Sequence, residues 1–265
     1  MVRGLLIRGM IAGLVAGILG FGVAKIIGEP QVDKAIAFES YVEYHVHHQA
    51  PETEVVSRTL QGSAGLGTGA LVYGVALGGI FALVFAFAYG RLGPLTARGT
   101  AAVLGLLGLV SVYVVPVLKY PANPPAIGDP DTIDRRTALY LVMIVASVVA
   151  VIIATVVRRR LLHRFGEWNA TLLVAAGYAA AMILCFVSLP GVNEVPQQAI
   201  HGVVSAVTDA HVTFPPTVLW RFRIASLGIQ AVMWSTIALG FGVIAQRHLD
   251  ASSFIAEPST SSAPR

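Results

Sequence analysis

Apolar residues gather in six stretches, at about residues 9–27, 71–89, 99–118, 137–157, 169–189 and 224–245. Polar intervals rich in proline, arginine or acid separate them. Each stretch has the length of about 20 residues that a helix needs to cross a hydrocarbon core of about 30 Å. The pattern predicts an all-α membrane protein, a polytopic six-helix transmembrane bundle over residues 1–249, with long outer loops and a disordered tail at 250–265. Arg3 and Arg8 precede the first stretch, and Lys25 is placed to snorkel at its far end. Ala35-Ile36-Ala37 resembles a signal-cleavage site, but Glu29, Asp33 and Lys34 separate it from the apolar run, so a retained helix is expected. Gly9, Gly13 and Gly17 stand four apart, as do Gly74 and Gly78 in the second stretch. Both sets form flat faces suited to close helix contact.

Composition agrees with the pattern. Hydrophobic residues make up 55% of the 265 and charged residues only 12%, against about 25% charged in ordinary soluble domains. The single Cys185 excludes an intrachain disulfide. The formal charge of +4 reflects arginines at segment ends, which topology explains without nucleic acid. With the N-terminus inside, the cytoplasmic parts carry Arg3, Arg8, Arg91, Arg98, Arg158, Arg159, Arg160, Arg164, Arg247 and Arg265 against Glu167, Asp250 and Glu257. The short basic loops around 91–98 and 158–167 decide the orientation: both termini cytoplasmic. The outer loops are then 28–60, 119–136 and 190–223, and they hold most of the acids.

The stretches contain almost no ionisable side chains, which argues against a pump with a carboxylate at the midplane. No histidine lies mid-stretch to ligate a heme. Ser111, Ser147 and Ser188 have no adjacent His or Asp for a buried protease, and QGSAGLGTG at 61–69 lacks the Lys-Ser/Thr of a nucleotide loop. No catalytic constellation stands out, so a non-enzyme without a tightly bound cofactor is expected. Tyr140, Asn169, Tyr178, Gln230 and Trp234 are polar groups suited to hydrogen bonds between helices.

Chemistry concentrates in the first outer interval, with Glu29, Asp33, Glu39, Glu43, His45, His47 and His48. If residues 33–48 are helical, Glu39, Glu43 and His47 lie one turn apart on one face. Two carboxylates and an imidazole on one stripe can trap a divalent first-row metal; the alternative is a solvated acidic face. Asp129, Asp131, Asn193 and Glu194 form a second candidate group. Asp129, Asp131 and Asp134 serve equally as caps and first-turn acids of the fourth helix. Arg221 and Arg223, at the outer end of the sixth helix, are placed to pair with loop carboxylates.

Four segments carry a resemblance: GEPQVDKAIAFE at 28–39, YPANPPAIGDPDTIDRRT at 120–137, LPGVNEVP at 189–196 and FPPTVLWRFRIASLGIQ at 214–230. With the spacing of the apolar stretches, the chain resembles the family of the probable cobalt transporter subunit CbtA. The resemblance implies a multi-pass protein of the bacterial inner membrane and a link to cobalamin synthesis. It also implies cobalt ion as substrate and a small one-helix partner of the CbtB type. Ligand chemistry alone does not select cobalt, which lies below nickel and copper in affinity for such groups. The rival reading is a non-transporting membrane scaffold or metal-sensing subunit that docks a small partner.

Overall fold

The computed structural model describes residues 2–45, 56–125, 127–128, 132–192 and 214–256. Its helices are α1 (Val2–Val23), α2 (Glu29–His45), α3 (Arg58–Leu60), α4 (Leu66–Ala88), α5 (Ala97–Gly108), α6 (Val115–Lys119), α7 (Ile133–Ser188) and α8 (Pro216–Ala256). Among the described residues there is no strand. Three π-helical segments, Ala24–Gly28, Gln61–Gly65 and Leu109–Val114, join α1 to α2, α3 to α4 and α5 to α6.

Two of these wide turns have a visible cause. Pro30 follows the first and Pro116 the third, each two residues past its end. A proline inside a helix lacks the donor N–H and presses its ring on the carbonyl four residues back. A turn widened just before it removes that conflict without ending the helix. The interval from residue 28, expected as an outer loop, is therefore helical as far as His45. Likewise α8 continues to Ala256, past the boundary expected at residue 249.

Helix α7 contains two of the expected stretches. Gly166, at φ 74° and ψ 172°, leaves the helical region and divides it into arms of residues 133–165 and 167–188. Ser147 and Tyr178 would stand about 46 Å apart on a straight helix. Their side-chain oxygens are 2.7 Å apart, so the arms fold back as an antiparallel hairpin. Arg158 Nε donates to Thr171 Oγ1 at 2.9 Å near the turn. Five described helices are long and apolar enough to cross a membrane: Val2–Tyr44, Arg58–Ala88, Ala97–Lys119, Ile133–Ser188 and Pro216–Ala251. Their outward faces are apolar: Phe87 is 73% exposed and Val187 80%. Apolar exposure on that scale suits a hydrocarbon solvent better than water.

Contacts divide the chain into two compact units. The first comprises residues 1–19, 68–106 and 232–265. In it the glycines of α1 and α4 interlock, with Gly9 at the backbone of Gly78, Gly13 at Gly74 and Gly78, and Gly17 at Ala70 and Leu71. A methyl group at Gly9, Gly13, Gly74 or Gly78 would overlap the partner's backbone. The packing reading of the glycine stripe therefore holds. Phe241 of α8 stacks edge-on against Phe81 and Phe85 of α4, with ring centroids 5.6 and 4.9 Å away. Gln246 Oε1 accepts from the first amide of α5, Ala97 N, at 2.8 Å. That bond satisfies one of the donors a helix start leaves open.

The second unit, residues 20–67 and 107–231, holds the candidate chemistry. Val115, Tyr120, Met143 and Met182 form one of its cores, closing α6 onto both arms of α7. Ala35, Ile127, Phe214 and Val218 form another, with Phe38 set edge-on to Phe214 at 5.1 Å. This second core fixes the middle of α2 against the start of α8.

Candidate functional site

The site grows from the turn between α1 and α2. The widened turn of residues 24–28 carries Lys25, and the widened turn of residues 61–65 carries Gly62. Lys25 Nζ donates to the Gly62 carbonyl at 2.8 Å, so this lysine stitches two helices together, where the sequence suggested snorkelling. One helical turn past Lys25, Glu29 Oε2 accepts from Arg58 Nη2 at 2.7 Å. One turn further, Asp33 Oδ1 accepts from Arg58 Nε at 3.1 Å. The Arg58 guanidinium thus bridges two carboxylates spaced i, i+4 on α2. The Glu29 end is well shielded, with its side chain 13% exposed, and the Asp33 end is open at 59%. Gly62 is the neighbour that leaves room: a Cβ there would overlap the Glu29 carboxylate. The four formal charges cancel, as a partly buried cluster requires.

Further along α2, Glu39 is exposed and Glu43 half-buried, one turn apart. Ten residues separate Glu29 from Glu39 and Asp33 from Glu43, about 15 Å of helix in each case. No single ion touches both pairs. The predicted ligands therefore fall into an inner pair, Glu29 and Asp33, held by Arg58, and an outer pair, Glu39 and Glu43. His45 ends α2; His47 and His48 lie outside the described residues, as do Asp129, Asp131, Asn193 and Glu194. Among the described residues no three of His, Cys, Asp and Glu converge on a metal-sized space.

The proline-rich loop is held by arginine. Arg136 Nη2 donates to the Pro121 carbonyl at 2.5 Å. Arg223 Nε donates to the Ala122 carbonyl at 3.2 Å, and its Nη2 to Asn123 Oδ1 at 2.9 Å. Arg223 was expected to meet loop carboxylates; among the described residues its partners are amide oxygens. Proline explains the change, because rings at 121, 124 and 125 leave carbonyls without helical or strand partners. Tyr120 is buried and donates to the Pro190 carbonyl at 2.8 Å. Burial pushes its phenol above the ordinary range, with Arg135 opposing, so the hydroxyl stays a donor.

Of the polar residues in the spans, Tyr178 makes the expected hydrogen bond, to Ser147. Gln230 Oε1 and Trp234 Nε1 are buried without a hydrogen-bond partner among the described residues. The sequence missed Arg58, Gln31 and Gly62. Arg58 lies 29 residues from Glu29, too far for any local motif. Its one signal is that it is one of two bases, with Lys34, in an acidic interval.

The family model described as "Probable cobalt transporter subunit (CbtA)" matches residues 2–246. The chain belongs to the CbtA family. The matched span covers every element from α1 through most of α8, so the Arg58 bridge and the arginine-held loop both lie inside it. No curated protein matches the chain, and no solved structure does. With its apolar helices, the family membership makes this a membrane protein, a cobalt transporter subunit by family. A subunit implies partners; the family description does not name them.

Proposed function

We propose that the chain is the membrane subunit of a divalent-metal uptake transporter, with cobalt as its substrate and cobalamin synthesis as its destination. It acts without enzymatic chemistry and beside a small one-helix partner of the CbtB type. It lies in the bacterial inner membrane with both termini cytoplasmic. Each arm of α7 is a separate span, which brings the five candidate helices to six, and the arginines near the Gly166 turn support the orientation.

One observation carries the metal reading: Arg58 bridges Glu29 and Asp33 where α1 passes into α2. In the absence of metal the Arg58 guanidinium lies between the two carboxylates and, with Lys25 beside them, balances their charge. A divalent cation that takes the carboxylates must displace it, so occupancy and the grip of Arg58 on α2 exclude one another. In this reading Glu39 and Glu43, with His45, His47, His48 and the loop groups Asp129, Asp131, Asn193 and Glu194, capture the ion first. Glu29 and Asp33 receive it next. Imidazole binds metal only when neutral, so capture weakens as the medium is acidified through about pH 6.5.

Calorimetric titration of Co²⁺ into purified protein tests this. Glu43→Gln keeps size and polarity and weakens binding; adding His47→Gln adds little if both act on one ion. Glu29→Gln removes a second, weaker binding step. If wild type and all variants bind alike, the acids are only a solvated face.

A further inference from the structure

The tip of the α7 hairpin gathers positive charge on one face. Arg158, Arg159, Arg160, His163 and Arg164 fall within seven residues of the first arm. Arg158 points at the second arm, where its Nε donates to Thr171. A helix turns by about 100° per residue. Arg159, His163, Arg160 and Arg164 therefore stand about 100°, 140°, 200° and 240° round from Arg158. They make two adjacent rows, Arg159 with His163 and Arg160 with Arg164, on the face turned away from the second arm. All four are exposed, and none makes an ion pair among the described residues. Arg164 only covers the Phe165 ring, 5.4 Å from its centroid. Glu167, the one acid nearby in the chain, comes after the Gly166 turn. Like charges one helical turn apart repel each other, so an anion between the rows relieves them.

We infer that this face binds an anionic phospholipid, of the phosphatidylglycerol class. The same face continues along the first arm as bare aliphatic surface. Val149, Ile152 and Val156 are exposed and lie about 180°, 120° and 160° round from Arg158. An acyl chain lies along this row while its phosphate reaches the arginines. The lengths agree. The apolar part of the arm, residues 137–157, measures about 32 Å, close to a hydrocarbon core of about 30 Å. Residues 159–164 then climb about 7.5 Å further, the depth of one headgroup layer. Trp168 is 75% exposed where the second arm begins, at the level where aromatic side chains anchor a span. Guanidinium groups grip a phosphate through paired N–H donors. A headgroup that carries its own ammonium has already answered the phosphate charge, so the patch prefers a lipid without one. The proposal rests on both arms lying in the bilayer and is independent of the metal reading.

Native mass spectrometry of the delipidated full chain, titrated with phosphatidylglycerol and phosphatidylcholine of identical chains, tests it. Wild type should retain phosphatidylglycerol about tenfold better, the worth of a hydrogen bond between charged groups. The double change Arg160→Gln with Arg164→Gln removes one row and should cut that preference severalfold. Arg91→Gln with Arg98→Gln removes the same charge from the other short basic loop and should leave the preference unchanged. Equal retention of the two lipids by the wild type overturns the proposal, and that comparison does not depend on any variant folding. Retention of neither lipid overturns it too, and strikes at the spans themselves rather than at the patch alone. An equal loss from the two double variants also overturns it, because the preference would then be general surface charge. Disulfide cross-linking of two copies through Val156→Cys in a Cys185→Ala background does the same, because a second copy would then cover the face.

Discussion

Replacing Gly13 by alanine adds one methyl group where α1 meets the backbone of Gly74 and Gly78. The added carbon would sit at least about 1 Å inside the 3.4 Å at which ordinary contact begins, and backbone cannot rotate away as a side chain can. The two helices must part by roughly that distance. Such a gap forfeits a quarter to a half of each dispersion contact of ~0.1–0.2 kcal/mol. Summed along the stripe, the loss reaches about 1–3 kcal/mol, the usual cost of overpacking. Gly13→Leu should cost more. Gly177, in the second arm of α7, provides the control, since nothing lies within 4 Å of a Cβ there. Gly177→Ala should stabilise by up to about 1 kcal/mol through helix propensity alone. Thermal unfolding in one detergent, followed by the loss of monodisperse protein, measures both. Opposite shifts are expected. Equal shifts for Gly13→Ala and Gly177→Ala would refute the reasoning, because a stripe that faces lipid tolerates a methyl group as readily as an open position.

In a Cys185→Ala background, Ser57→Cys should react with an impermeant thiol reagent in intact cells and Ser252→Cys should not; equal labelling would refute six spans with both termini inside. Arg58→Gln should destabilise metal-free protein by about 1–3 kcal/mol, since it leaves the shielded Glu29 carboxylate without its partner. The double change with Glu29→Gln should cost less than the two single costs added, as chemical denaturation of the four proteins would show. Gln230→Leu removes a buried acceptor that has no partner among the described residues and should raise the melting temperature. If uptake falls in that same variant, the amide serves the ion's passage; a lower melting temperature would mean that it has a partner after all.

Much of the architecture was legible because membrane spans are long and simple in pattern. The glycine stripes at 9, 13, 17 and at 74, 78 announced their contact, since only small residues let backbones touch. The division of α7 was also visible, in the basic interval that holds Gly166, although hydrogen bonding runs the two arms into one element. The extension of α2 was less so. Gly28, Glu29 and Pro30 read as a stop, and sequence gives no sign that a widened turn will absorb the proline. Of the candidate site, the acids were found and their restraint was not. Arg58 meets Glu29 and Asp33 only because α3 returns beside α2, and a contact made by the fold leaves no spacing in the chain. Arg223 was noticed at the right place, and its partners among the described residues are oxygens of the proline-rich loop, which no pattern in a sequence marks.

Uptake of radiolabelled Co²⁺ by cells producing this chain, alone and with a CbtB-type partner, tests the central claim most directly. Immunoblots of the membrane fraction and a protonophore control accompany it. The account predicts uptake above the empty-vector level in at least one of the two strains, reduced severalfold by Glu43→Gln and by Glu29→Gln at equal membrane abundance. Uptake at the empty-vector level in both strains, with the protein present in the membrane, would contradict transport and leave a scaffold or sensor.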